Sequence, residues 1–421
     1  MGAFVIRGCE IYLGGAFVPA ELEVRGGVVT ALGGGIVPGE GASVYNFKNC
    51  IVVPGLADVH VHLREPGFSY KETVASGTRA AARSGYAALC AMPNLSPVPE
   101  DAATLAQELD IIRRDAVIDV LPYGAITRGQ RGEQLADMAA MSPYVCGFSD
   151  DGRGVQSREL MRAAMLEAKR LGRPIAAHCE DNSLLRGGYI HEGEYAKAHG
   201  HRGICSESEW GPIARDIELL RETGCAYHVC HISTAESAAL IRSAKAEGLD
   251  ITCETAPHYL LLSDSDLQED GRFKMNPPLR SERDRLALIE ALRDGTIDIL
   301  ATDHAPHSAE EKSRGLAGSA FGITGLETAF PLLWTGLVEP GIITRERLVE
   351  LMSTAPARRF GIESGIEPGG PATFAVFETE TTYRIDPERF ASKGRATPFA
   401  GREVRGRCVL NVVRGREVWR A

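Results

Sequence analysis

Through the middle of the chain, apolar residues come in short runs separated by longer amphipathic stretches. Eight of these runs have the length and composition of strands: LADVH, YAALCAM, VIDVLPYG, YVCGFS, PIAAH, AYHVCH, DITCE and TIDILAT. Helical periodicity fills most of the gaps. The stretch SRELMRAAMLEAKRLG opens on Ser157 as a cap, repeats Leu160, Ala164 and Leu171 near the helical period, and closes on Gly172. Eight such alternations predict an α/β fold, a TIM (β/α)8 barrel rather than an open doubly wound sheet.

The two ends follow a different pattern. Residues 1–53 and 366–421 read as short strands broken by glycine, with the alternation of an antiparallel sheet, as in GCEIYLGGAFVPAELEVRGGVVTALGGG and REVRGRCVLNVV. The expectation is a small β-sandwich domain built from both ends, flanking a barrel over 54–365.

In a TIM barrel the chemistry sits at the C-terminal ends of the strands, and here those ends are polar. Strand 1 runs into His60 and His62, strand 4 into Asp150 and Asp151, strand 5 into His178, strand 6 into His231, and strand 8 into Asp303. Residues two apart in a strand share a face, so His60 and His62 can chelate together while Val61 packs outward. Neutral imidazole suits zinc at about 2.0–2.1 Å. This many ligands exceeds what one catalytic zinc takes, which predicts two metals sharing a bridging group.

Composition narrows the partners. The 421 residues are 44% hydrophobic and 24% charged, ordinary for a globular protein, and a net charge of −10 excludes nucleic acid and anionic membranes as partners. No run approaches the roughly 18 apolar residues of a membrane span, and the first residues lack the pattern of a secretory signal. A cytoplasmic protein is expected. The ten cysteines include no CxxC pair and read as buried thiols.

Taken in order, PGLADVHVHLREPG, AMPNLSPV, FSDDG, AAHCED, CHISTAES, ETAPHYL, KMNPPLR, ATDHAPHSAEEK and SKGRATPFAGREVRGR resemble segments of the dihydroorotases of the amidohydrolase superfamily. HVHLREP and ATDHAPH are the most specific. The resemblance implies metal-dependent, reversible hydrolysis of the cyclic amide of L-dihydroorotate to N-carbamoyl-L-aspartate, the third step of pyrimidine synthesis. It implies that His60 and His62 bind one metal and His178 and His231 a second, zinc being the first choice for both. Asp151 would bridge them, and Asp303 would contact metal and act as general acid and base. Many related cyclic-amide hydrolases bridge with a carboxylated lysine instead. YVCGFSDDG has no lysine, and Lys169 lies in a helix.

The substrate carboxylate needs a partner, and Arg64, two residues beyond His62, offers a planar fork. The resemblance adds Asn94, Asn276 and His307 as substrate contacts, and backbone near Phe321 and Gly322 against the pyrimidine ring. His228, His258 and Asp150 are left structural. The segment from His307 to Phe321 reads equally as a solvated loop or a mobile active-site loop. Two departures stand out: Leu95 and Ser96 replace more polar family residues beside Asn94, and PGGPATFAVF replaces an acidic family segment. The resemblance also implies a homodimer and allows association with aspartate carbamoyltransferase. Competing readings are an allantoinase or hydantoinase, and an inactive scaffold for the transferase.

Overall fold

The computed structural model describes residues 2–421. Eight parallel strands follow one another around the barrel: β1 (Leu56–Val61), β2 (Tyr86–Ala91), β3 (Asp119–Ala125), β4 (Gly147–Ser149), β5 (Ile175–Ala177), β6 (Tyr227–Val229), β7 (Ile251–Thr255) and β8 (Ile299–Leu300). Side chains as well as backbone join β8 to β1. Val61 and His304 form a parallel bridge, the His62 N–H donates to the His304 carbonyl at 2.9 Å, and the Thr302 hydroxyl donates to Asp58 at 2.6 Å.

Helices follow the strands: α1 (Val74–Arg83), α2 (Ala102–Asp115), the single turn α3 (Met138–Met141), α4 (Arg158–Leu171), α5 (Glu207–Thr223), α6 (Ala235–Ala246), α7 (Glu282–Arg293) and α8 (Ala329–Leu333). Helix α4 matches its sequence signals at both ends. Ser157 accepts from the Leu160 N–H, and Gly172 takes a left-handed φ of 66°, where a side chain would be strained.

Several strands are shorter than their apolar runs. PIAAH loses His178 from the ladder, and AYHVCH and TIDILAT end short because His231, which closes the first, and Asp303, which follows the second, turn out of the sheet. His231 (φ 33°) and Asp303 (φ 47°) occupy the left-handed region, which no strand accommodates.

The sequence at both ends builds one eight-stranded sheet. Its path runs Arg416–Arg420, Arg407–Val413, Phe374–Glu378, Cys50–Pro54, Phe4–Leu13, Ala16–Arg25 and Val28–Gly33, with Ser43–Asn46 beside Phe4–Leu13. Val52, Phe374 and Val376 enter this sheet's own core, whereas their neighbours Ile51, Val53, Ala375 and Phe377 pack against the barrel layer. Most pairings are antiparallel, as the alternation predicts. Phe4–Leu13 is instead parallel to Ser43–Asn46 and Cys50–Pro54, because two hairpin reversals return the chain in its original direction. All ten cysteines are free, and all but Cys205 are buried.

One buried group works against stability. Glu108 lies on the inner face of α2 beside Leu105, its Oε2 has no partner, and burial pushes its carboxyl well above the usual range. The folded state therefore holds a proton that the unfolded chain releases once pH exceeds the ordinary glutamate value, so this site costs more stability as pH rises. Glu108→Met raises the thermal midpoint by about 2–4 °C at pH 8 and by less at pH 5. Thermal melts at the two pH values check it; equal shifts would show that the carboxyl is not held neutral.

Candidate metal centre and active site

A change of phase in β1 sets the first pair of candidate ligands. Ala57 and Val59 pack inside the barrel, while Val61 packs in the layer between barrel and helices, and pairing with β2 shifts register between Asp58 and Val61. Beyond that irregularity His60 and His62 both face the barrel mouth, with Val61 outside. The other strand ends meet them there. His60 Nε2 lies 3.3 Å from Asp151 Oδ1 and 3.6 Å from Asp303 Oδ1; His62 Nε2 lies 3.5 Å from Asp151 Oδ2 and 3.1 Å from Asp303 Oδ1. On the opposite side, His178 Nδ1 and His231 Nε2 are 3.0 Å apart and lie 3.4 and 3.5 Å from Asp151 Oδ1. The Asp151 carboxylate thus stands among four imidazoles.

The donor set fits divalent metal. Ligand atoms about 2.0–2.1 Å from a tetrahedral zinc lie roughly 3.3 Å from one another, a spacing that the distances above bracket. His60 Nε2 and Asp151 Oδ1 are buried and neither has a hydrogen-bond partner. Each calls for a partner that the protein does not supply. Ligand-type atoms of His60, His62 and Asp303, and of His60, Asp151 and His231, lie within 4.8 Å of one another.

The charges agree with this arrangement. Burial opposes ionisation of Asp151, yet the imidazoles of His60, His178 and His231 hold its carboxyl well below the usual range. Burial likewise opposes Asp303, whose bond to His62 and proximity to His60 keep it ionised. Three of the few non-glycine residues with positive φ are Arg64 (61°), His231 and Asp303. Backbone strain of this kind concentrates where function demands a side-chain direction.

Three of the four imidazoles are oriented from behind. His62 Nδ1 is 2.8 Å from the Asn94 amide oxygen, and His178 Nε2 is 3.5 Å from Glu180 Oε2. His60 Nδ1 is 2.6 Å from Glu254, a carboxylate that burial opposes but that His60 and His228 keep far below the ordinary range. Glu180 and Glu254 were not singled out in the sequence. For Glu254 the one signal was its place near the C-terminal end of β7, which does not say what it faces. Glu180 offered none beyond its place in AAHCED.

Arg64 is buried at the mouth. Its Nε donates to the Pro306 carbonyl at 3.3 Å and its NH2 lies 3.4 Å from His307, but among the described residues no carboxylate comes within 4.0 Å of it. Burial depresses the pKa of Arg64, while Asp303 and Asp151 act to raise it. His307 donates from Nε2 to the Phe321 carbonyl at 2.7 Å; burial and the cations of Arg64, Lys71 and Lys312 push its pKa down to about 3, so it is neutral. Asn276 donates to Glu180 at 3.0 Å. The segment carrying Phe321 and Gly322 is tied down by Lys312, which donates to the carbonyls of Lys274, Ala320 and Gly322 at 2.9, 2.8 and 2.7 Å.

Asp150 accepts from the backbone N–H groups of Ile126 and Thr127 at 2.8 and 3.1 Å, tying β4 to the end of β3. Lys169 lies on α4, its Nζ donating to the Thr223 carbonyl at 2.7 Å. It therefore stands away from the four imidazoles, among which Asp151 lies. His258 is buried with an unpartnered Nε2, and burial holds its pKa down to about 4.

Fold and site together define a metal-binding barrel hydrolase of the amidohydrolase type. A family model described as Dihydro-orotase-like matches residues 49–237, and the dihydroorotase of Bacillus caldolyticus is 47% identical over 422 residues, covering 100% of this chain and 99% of its own. The chain belongs to the dihydroorotase family. The dihydroorotase of Geobacillus thermodenitrificans is 46% identical over 423 residues with the same coverage. Among solved structures, an L-hydantoinase (dihydropyrimidinase) from Arthrobacter aurescens aligns with a TM-score of 0.88 at 25% identity, over 100% of this chain and 96% of that chain. A dihydropyrimidinase from Brevibacillus agri reaches 0.86 at 23% identity, over 99% and 95%, and shares the fold. Among the described residues, no helix is long and apolar enough to cross a membrane.

Proposed function

We propose that this chain is a dihydroorotase that opens the cyclic amide of L-dihydroorotate to N-carbamoyl-L-aspartate and closes it in reverse. The single observation that carries this substrate is Arg64, a buried guanidinium without a carboxylate partner beside a metal-type mouth. A buried unpaired charge is costly, and the substrate's unreactive carboxylate answers it. Hydantoin and allantoin have no such carboxylate, which separates this chain from the hydantoinases whose fold it shares.

His60, His62 and Asp303 would hold one zinc ion, His178 and His231 a second, and Asp151 would bridge them. Bound there, such ions acidify water and polarise a carbonyl oxygen. Asp303 accepts the proton released as water adds to the ring carbonyl carbon, then returns it to the ring nitrogen as the C–N bond breaks. Arg64 clamps the substrate carboxylate. Asn94 offers its Nδ2, its oxygen being held by His62, and Asn276 reaches the substrate from beside Glu180. Neutral His307 steadies the Phe321–Gly322 backbone against the ring and reaches the substrate beside Arg64.

Residues 54–365 form the catalytic unit in this proposal, with 1–53 and 366–421 as its β appendage, in the cytoplasm. A homodimer and association with aspartate carbamoyltransferase rest on family resemblance alone; sedimentation with and without the transferase tests both.

The test of function is direct. The purified protein carries about two zinc equivalents, turns over dihydroorotate in preference to hydantoin and allantoin, loses activity on chelation and regains it with zinc. Turnover of hydantoin with none of dihydroorotate would overturn the assignment.

A further inference from the structure

We infer that Glu254 and His228 form a buried positioning dyad that sets the tautomer and orientation of the metal-facing His60; this rests on the metal-centre reading above. Four side chains line up from the barrel core to the mouth. The Thr252 hydroxyl lies 2.8 Å from His228 Nδ1, His228 Nε2 lies 3.0 Å from Glu254 Oε2, and Glu254 Oε1 lies 2.6 Å from His60 Nδ1. A carboxylate only accepts, so both imidazole nitrogens that face it are donors. His60 therefore carries its proton on Nδ1 and leaves the Nε2 lone pair toward Asp151, where the protein gives it no hydrogen-bond partner. His228 is set the other way, with its proton on Nε2 and Nδ1 accepting from Thr252.

The dyad reaches further than His60. Glu254 Oε1 also accepts from the His231 backbone N–H at 3.3 Å, so one carboxylate touches a ligand side chain on β1 and the backbone of a ligand after β6. His228 and Thr252 are register partners across β6 and β7, and His228 meets Phe360 edge-on at a centroid distance of 5.2 Å. With both oxygens engaged, the carboxylate cannot rotate away from His60. A buried polar network that served only packing would need no lone pair aimed at the mouth; partners behind a ligating histidine orient it and tune its basicity.

The experiment uses the zinc-loaded protein and reads zinc affinity by chelator competition, alongside circular dichroism and thermal melts. Glu254→Gln and His228→Leu weaken the binding of one zinc equivalent by about 10- to 100-fold while the fold is retained. His228→Gln, which keeps a donor for Glu254, recovers most of the affinity lost in His228→Leu. Unchanged zinc affinity in folded variants, or loss of thermal stability alone, would make the network structural and overturn the dyad. Should Glu254→Gln fail to fold, the two His228 variants decide the matter between them. If the wild-type protein binds no divalent ion, the metal-centre reading itself fails, an outcome distinct from failure of the dyad.

Discussion

Asp303→Asn lowers kcat on dihydroorotate by roughly a thousandfold while leaving the melting profile near that of the wild type. Asparagine has the same shape, so the packed surroundings of a residue only 6% exposed are kept. What it loses is the charge and the ability to accept a proton. Asp303 is placed for both steps of the proposed reaction: its Oδ1 is 3.1 Å from His62 Nε2 and 3.6 Å from His60 Nε2, and its left-handed backbone directs the carboxylate to the mouth. The neighbouring carboxylates are already engaged. Asp151 stands among four imidazoles, and Glu254 is bonded to His60 and His228. Steady-state kinetics with a parallel zinc determination check this, because Asp303 is also a proposed metal ligand. A metal-loaded variant within tenfold of wild-type kcat would remove Asp303 from the proton-transfer role.

Arg64→Met separates binding from stability. Methionine fills much of the same volume but cannot pair with a carboxylate, so KM for dihydroorotate rises by about 10- to 100-fold, the worth of a charge-assisted contact. The free protein should become more stable at the same time, because the substitution removes a buried charge that has only a carbonyl and a neutral histidine for company. A higher thermal midpoint together with a higher KM is a combination that a merely structural arginine would not produce. Unchanged apparent affinity for dihydroorotate would show that the carboxylate is held elsewhere.

Much of this architecture was readable along the chain, for identifiable reasons. Strand and helix alternation is local, so the barrel and the limits of α4, with its Ser157 cap and Gly172 terminus, could be read from a window of residues. The polarity of the strand ends is likewise local, and in a barrel all those ends share one face. His60, His62, His178, His231, Asp303 and the pair Asp150 and Asp151 could therefore be gathered before any coordinates, the choice of Asp151 within that pair coming from the family resemblance, and these side chains other than Asp150 do converge. The orienting groups could not be gathered in this way. Glu254 and His60 are separated by 194 residues, and nothing local distinguishes a carboxylate that faces a histidine from one that faces water.

Order along the chain, hydrophobic period and residue type were enough to determine the barrel, the metal-type chemistry of its mouth and an arginine beside it. Tertiary structure decided three further matters. It placed the change of phase in β1 that turns His60 and His62 inward together, because register depends on the neighbouring strand. It left Arg64 buried without a carboxylate, since pairing depends on what the other loops bring. It also put Glu254 and His228 behind His60, because a hydrogen bond between strands of a closed barrel is fixed by closure and stagger, which no single segment encodes.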